Sequence, residues 1–595
     1  NIPIFKGLSA NAFFSNERTF SLQTNYYNEN TFYYRDLVNT YTPLPVAGAT
    51  AQNSIGLNRG AGGILQQVNS TDNNYTVRGQ LNYDNTFAGK HQLTVIAGSE
   101  IRQTNAGQGG STMYGYNTGT GLSRPVNFAT PYASIQYGGM LGGAPYRQDK
   151  IRRYLSYYSN AGYTYNGKYT LSASVRYDDY NNFGVDRKFR ATPLWSTGLR
   201  WDLAKEDFLK SQDWISGLGL KASYGVNGNI ATSVYPFTYI ALSESDYQTG
   251  LPYAFVVTPA NPELRWEKTY VTNIGLDLSL FKGRINATAD FYRKHGKDIF
   301  YEFPVNDTYG VSTLLRNATE LKGRGVDIGL SGVAYRTNDW EVTTGFNFSY
   351  NTNEIADARF TQTSSLFSNP AYSNYIEGYP TDKLLVYKNA GLDARGLTQI
   401  FDENGNKVAA ERNISSIEAL KNAGRTSAPY FGALNQSVRY KEFTLMAIAT
   451  YQFGSVFLRP TITGFSGGRA GTRYDLSEDV AKRWQKAGDE NITNVPGIAG
   501  AAAGVSLQRY QQSDINVLKG DYIRLRELSL TYALPLARFT KMAKTADLSF
   551  GVRNLGLLWK ANKEGIDPDF ATGLNSTTLG LPASVSYNFS LNVNF

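Results

Sequence analysis

The stretch that most limits what this chain can become is its last, residues 583–595. Ala583, Val585, Tyr587, Phe589, Leu591, Val593 and Phe595 alternate with Ser584, Ser586, Asn588, Ser590, Asn592 and Asn594. A strand points successive side chains to opposite faces, so this segment has one apolar face and one polar face. No helical period fits it. A soluble sandwich strand can alternate in the same way, but it is usually about five or six residues long. Alternation over ~10 residues is what a membrane-spanning β-strand requires.

Composition supports this reading. The chain carries 43 Tyr, 31 Phe and 58 Gly in 595 residues. Its mean hydropathy is −0.37. No run of ~18 apolar residues is present, which excludes helical membrane spans. A barrel escapes that test because only alternate residues face lipid. There is no Cys, and the two His are His91 and His295. Disulfide frameworks, thiolate chemistry and imidazole metal sites are thereby disfavoured. The formal charge of +9 comes from 58 basic and 49 acidic residues. The basic residues are scattered and match no nucleic-acid-binding motif, so no nucleic-acid partner is expected. No secretory signal precedes Asn1, as in a processed product or a fragment, and export stays open.

Further strands are expected at 6–27, 75–87, 91–104, 151–165, 169–180, 192–203, 218–226, 265–281, 284–303, 321–336, 340–351, 433–440, 443–457, 522–534 and 546–555. Tight turns fall at Ala88-Gly89, Asn166-Gly167, Lys282-Gly283, Asn338-Asp339 and Lys441-Glu442. Asn-Gly is a favoured two-residue hairpin turn. Between them lie long polar stretches at 29–72, 105–149, 228–262, 356–429, 465–519 and 561–581, with a short helix expected at 477–486. Short and long connections alternate, as they do between the periplasmic and extracellular ends of an outer-membrane barrel. The expected fold is therefore all-β, a transmembrane antiparallel β-barrel with about 16 strands in this chain. The last strand runs inward, which puts Phe595 at the periplasmic rim.

Several motifs in order then resemble one family. They are Val175-Arg176-Tyr177-Asp178 with Phe183-Gly184, Ser223-Tyr224-Gly225 with Gly228-Asn229, and Asn261-Pro262-Glu263-Leu264-Arg265-Trp266-Glu267. Lys322-Gly323-Arg324-Gly325-Val326-Asp327 follows, and then Gly520-Asp521-Tyr522-Ile523-Arg524-Leu525-Arg526-Glu527-Leu528 and Asp567-Pro568-Asp569. The set is similar to the SusC/RagA-like TonB-dependent outer-membrane transporters of Bacteroidetes-type bacteria. The resemblance implies a barrel of about 22 strands closed by an N-terminal plug. It also implies import driven by the TonB complex, a SusD-like surface lipoprotein as cap, and oligosaccharide or oligopeptide substrates, with glycans slightly favoured. Residues 1–595 read as barrel alone, and a plug domain and TonB box are not found among them. With about six strands fewer than the family pattern, two strand edges would stand unpaired in lipid. A passive porin of about 16 strands and a structural or adhesive barrel are the competing readings. No cofactor, metal or catalytic constellation is expected.

Individual residues carry narrower expectations. Tyr247, Tyr253, Tyr372 and Tyr375 lie in long loops and are candidates for contact with substrate or cap. Tyr587, Phe589 and Phe595 resemble the C-terminal aromatic signal read by barrel-assembly machinery. Arg524 and Arg526 share strand parity with Leu528 and Leu530 and are expected to face outward at the extracellular end. There they would meet lipopolysaccharide phosphates; pairing with loop acids such as Asp521 is the alternative. Asp402-Glu403-Asn404-Gly405-Asn406 is read as a hairpin turn rather than a calcium loop, because its glycine and its twelfth position do not match one.

Overall fold

The computed structural model describes residues 2–43, 52–57, 60–134, 139–181, 189, 191–231, 235–243, 249, 251–359, 364–371, 375–462, 477–497, 502–535, 544–571 and 580–594. Within them one antiparallel sheet of 17 strands runs in chain order. Its strands are β1 (Ile2–Phe5), β2 (Leu8–Tyr27), β3 (Gly63–Phe87), β4 (His91–Tyr116), β5 (Tyr146–Tyr165), β6 (Tyr169–Tyr180), β7 (Ala191–Asp202) and β8 (Ile215–Asn229). They continue with β9 (Glu267–Leu280), β10 (Ile285–Pro304), β11 (Thr313–Arg336), β12 (Trp340–Asp357), β13 (Tyr430–Tyr440), β14 (Phe443–Phe453), β15 (Tyr522–Leu534), β16 (Thr545–Lys560) and β17 (Ser586–Asn594). Among the described residues β1 pairs with β2 alone and β17 with β16 alone, so the sheet has two edges.

The tight turns hold one end of the sheet in register. Ala88 and Gly89 take φ of 48° and 67°, and Asn166 and Gly167 take 51° and 65°. Both pairs are the left-handed, left-handed geometry that matches strand twist. Each turn is then bonded to its neighbour. Asn166 donates its backbone N–H to Lys90, Asp202 to Lys168, Phe281 to Trp214 and Lys441 to Asp339, at 2.7–2.8 Å. This chain of bonds satisfies the turn backbone around the rim.

Register turns the alternation of single strands into continuous rows. One apolar row runs Phe589, Phe550, Leu530, Leu445, Val438 and Val342, each opposite the next. The neighbouring polar row is Ser590, Ser549, Thr531, Thr444, Arg439 and Glu341. The apolar face is bounded by aromatic pairs at both ends. Trp340 and Tyr440 lie 4.4 Å apart near the turns, with Phe443 and Tyr532 at 4.6 Å. At the far end Tyr350 stacks on Tyr430 at 5.0 Å. From Trp340 to Tyr350 the strand climbs about 34 Å, or about 26 Å along the normal at a tilt of ~40°. That is the height of an outer-membrane hydrocarbon belt, ~25 Å.

The strand expected at 6–27 is present as β2, Leu8–Tyr27, and Gly7, at φ 84°, folds the short β1 back onto it. Three expectations are corrected. Several strands extend well beyond the aromatic rim. β3 begins at Gly63 and β4 ends at Tyr116, because their ladder continues outside the belt. There the strand ends pack into a loop cluster, with Ile64 and Tyr114 buried beside Tyr34, Tyr41 and Leu57, so lipid no longer imposes alternation. The loops also hold helices that the periodicity missed, α1 (Phe32–Thr40) and α2 (Ala503–Gln511). The short helix expected at 477–486 is a 3-10 turn, Glu478–Lys482.

Candidate transport passage and extracellular lobe

The polar face of the sheet carries a belt of ion pairs, some within a strand and some between strands. Arg200 on β7 bonds Asp202 and Asp277, each at 2.8 Å. Lys221 on β8 reaches Asp277 at 3.2 Å and Asp290 at 3.1 Å. Further round the wall Arg78 meets Glu100 at 2.8 Å, and Arg176 meets Asp178 at 2.8 Å. The face opposite these residues presents Leu199, Leu220 and Val175, all exposed. Within the belt these charges lie on one side of the wall and hydrocarbon on the other, as a membrane barrel with a polar lumen demands. Parity alone assigns these residues a face. Which charges meet depends on register, which no single strand encodes.

Above the belt the long connections fold into a packed lobe. Strands Lys383–Tyr387 and Leu420–Arg425 pair, and Leu385, Tyr387, Ile400, Ile414 and Leu420 form a buried core. A second cluster joins Leu384 and Val386 to Leu458, so the described parts of the two long connections, after β12 and after β14, pack against each other. Arg425 clamps Asp382 at 3.0 Å. Arg459 bonds the buried Asp479 at 2.8 Å, and Thr461 and Tyr510 also donate to it. Burial pushes the Asp479 carboxyl up, but the bonds from Arg459 and Thr461 outweigh it and hold it below its usual value. Asp402 accepts backbone N–H groups from Asn404 and Asn406, and Gly405 sits at φ 80°, so this segment is the expected hairpin turn. Among the described residues no cluster of three or more metal-ligating side chains exists.

At the mouth a cavity of about 1220 Å³ opens between the upper end of β5, the 235–258 segment and the upper ends of β10 and β11. Lys150, Arg152, Tyr235, Phe237, Tyr239 and Glu302 line it. Tyr253 belongs to the hairpin of Tyr239–Ser243 with Tyr253–Thr258, but stands opposite Ser243 at the end away from this cavity. Tyr375 stacks on Tyr301 at 4.7 Å and joins the lobe to β10. Tyr247, Tyr372 and Phe595 lie outside the described residues. Tyr587 and Phe589 stand on the apolar face of β17, 72% and 70% exposed.

Arg524 and Arg526 do not face outward. On β15, Glu527 opposes Ile448 and Leu525 opposes Ala449, so Arg526 is an extra residue, a bulge. The bulge reverses parity beyond it. Ile523 now lies opposite Tyr451 and Trp559 on the lipid side, and Arg524 lies opposite Thr450 on the inner side. Arg524 is 4% exposed and pairs with Asp567, with Nε 3.2 Å from Asp569. Arg526 meets Asp569 at 2.9 Å and donates to the Thr450 hydroxyl. The partners are acids of the last loop, though not Asp521, whose carboxylate accepts from Gly454 N–H.

Comparison with known proteins agrees with this geometry. The family model "TonB dependent receptor-like, beta-barrel" matches residues 5–555. A TonB-dependent receptor of Formosa agariphila is 26% identical over 570 residues, covering 86% of this chain and 52% of the relative. TonB-dependent receptor SusC of Bacteroides thetaiotaomicron is 23% identical over 477 residues, covering 74% of this chain and 44% of SusC. The chain spans about half the length of the curated relatives it matches. The structure of the RagAB peptide transporter superposes with a TM-score of 0.75 at 23% identity, over 100% of this chain and 61% of that one. With its lipid-facing belt and polar inner wall, the chain is an outer-membrane β-barrel and belongs to the TonB dependent receptor-like barrel family.

Proposed function

We propose that this chain forms the barrel wall of a TonB-dependent active importer of oligosaccharides or oligopeptides. The observation that carries the proposal is the wall itself, with a hydrocarbon belt outside, paired charges inside and two strand edges. An unpaired edge in lipid leaves backbone groups unsatisfied at several kcal/mol each. Further strands, and a plug to fill the polar lumen, complete the wall in this reading. The plug moves when pulled by the TonB complex, and a SusD-like lipoprotein sits on the packed extracellular lobe. Substrate entering the mouth meets Tyr235, Phe237 and Tyr239 beside Lys150, Arg152 and Glu302. Aromatic faces suit sugar rings, and mixed charges suit peptide termini. No catalysis is assigned, since transport needs selective passage and no bond is broken.

Uptake by the native bacterium tests this. Cells lacking the gene should lose import of fluorescent oligosaccharides or oligopeptides that are too large for porins. A protonophore should abolish import in the parent strain. Import that survives the protonophore, with open-pore conductance from the purified protein, would establish a passive porin instead.

A further inference from the structure

The lipid-facing side of the wall changes character between β8 and β12. The row at the aromatic rim is apolar: Ala222, Ile274, Phe291, Val326 and Tyr350 lie opposite one another in turn. One step outward, about 7 Å along the strands, the row reads Tyr224, Thr272, Arg293, Arg324 and Thr352. The next reads Val226, Tyr270, His295, Lys322 and Glu354. Lys268 and Lys297 face each other in the row beyond. No bulge interrupts β10 between Ile285 and Gly296, so Arg293 and His295 keep the outward parity of Ala287, Ala289 and Phe291.

Six basic side chains thus stand on the outer surface just beyond the hydrocarbon belt. His295 lies 2.9 Å from Glu320. Lys268, Arg293, Lys297, Lys322 and Arg324 form no ion pair among the described residues, although Glu354 faces Lys322 across the ladder. The contrast with the inner wall is sharp, where Arg78, Arg176, Arg200 and Lys221 all meet carboxylates. Arg293, His295 and Lys297 also line a cleft of about 340 Å³ together with Tyr224, Tyr270 and Thr272.

We propose that this outer patch of β8–β12 binds the phosphorylated headgroup of an outer-leaflet glycolipid. Arg293 and Arg324 engage the phosphate, Lys297, Lys322 and Lys268 surround it, and Tyr224, Tyr270 and Thr272 hold the adjoining sugar. The acyl chains lie below, against Ile274, Phe291 and Val326. Unpaired cations immediately outside a hydrocarbon belt are satisfied by phosphate, and the arginine fork matches its geometry. The inference does not depend on what the barrel transports.

The transporter extracted from its own membrane, complete with whatever other segments it has, provides the test. Phosphorylated glycolipid retained per barrel is measured by mass spectrometry for the wild type and for Arg293→Ser/Arg324→Ser. Folding of both is checked by the gel mobility of unheated samples. Retention should fall at least about tenfold in the double variant, the loss of one or two charge-assisted contacts. Arg293→Lys/Arg324→Lys should recover part of it. In a second arm the unaltered protein is placed in vesicles holding either the phosphorylated glycolipid or its dephosphorylated form. Enrichment around the protein should be seen for the phosphorylated form alone. Equal retention by the double variant overturns the proposal. So does equal enrichment of the two lipids, or displacement by millimolar inorganic phosphate as complete as that by the glycolipid.

Discussion

Two pairs of arginines stand near the extracellular end of the same wall and meet opposite fates. Arg524 and Arg526 lie two residues apart on β15; Arg293 and Arg324 face each other on β10 and β11. By strand parity all four should look outward. A single extra residue at position 526 turns Arg524 to the inner side, where Asp567 and Asp569 neutralise it. Uninterrupted pairing keeps Arg293 and Arg324 outside and unpaired. Residue type does not decide the role of an arginine here. The register of its strand does, because one slipped residue exchanges lumen for lipid.

Substitutions separate the two pairs by magnitude. Arg524→Ala leaves Asp567 and Asp569 of the last loop without their buried cation. It should destabilise the region by about 3–5 kcal/mol, read as a lower denaturant midpoint and as new proteolytic cleavage within 561–571. Arg526→Ala removes a partly exposed pair and should cost about 1 kcal/mol or less in the same assay. Arg293→Ala with Arg324→Ala should cost no more than about 0.5 kcal/mol, since neither side chain makes an ion pair among the described residues. If the outer pair proves as costly as Arg524, it is structural and the contrast fails.

The opposite rim extends the comparison to a pH effect. Glu206, in the connection after β7, accepts from the Tyr169 hydroxyl, Lys168 and the Trp201 indole N–H. The Tyr169 bond foremost, then those from Lys168 and Trp201, hold its carboxyl down to about 2. A depressed acid stabilises the fold above its unfolded value, and the contribution fades as pH falls toward the folded value. Wild type should therefore outlast Glu206→Gln in thermal unfolding at pH 7. The gap should begin to close below about pH 4.5 and shrink toward about pH 2. A gap that does not depend on pH would mean that the contact is steric.

Much of the wall was legible because lipid imposes a strict rule on alternate residues. β6 (Tyr169–Tyr180) and β15 (Tyr522–Leu534) have the expected ends, and the Asn166-Gly167 turn lies where its dipeptide puts it. The lobe was not legible. Leu385, Ile400, Ile414 and Leu420 form a core with no common period, drawn from separate loop segments. The cavity at the mouth likewise joins β5, the 235–258 segment, β10 and β11, which the sequence holds far apart.

The sequence by itself determined the class of fold, the direction of its strands and which residues belong to a polar or an apolar face. Period two is local, and each strand states it independently. The tertiary structure alone decided which face looked where beyond a bulge, which charges met, and which cations were left unpaired. Those outcomes depend on register between strands, and register is a property of pairs.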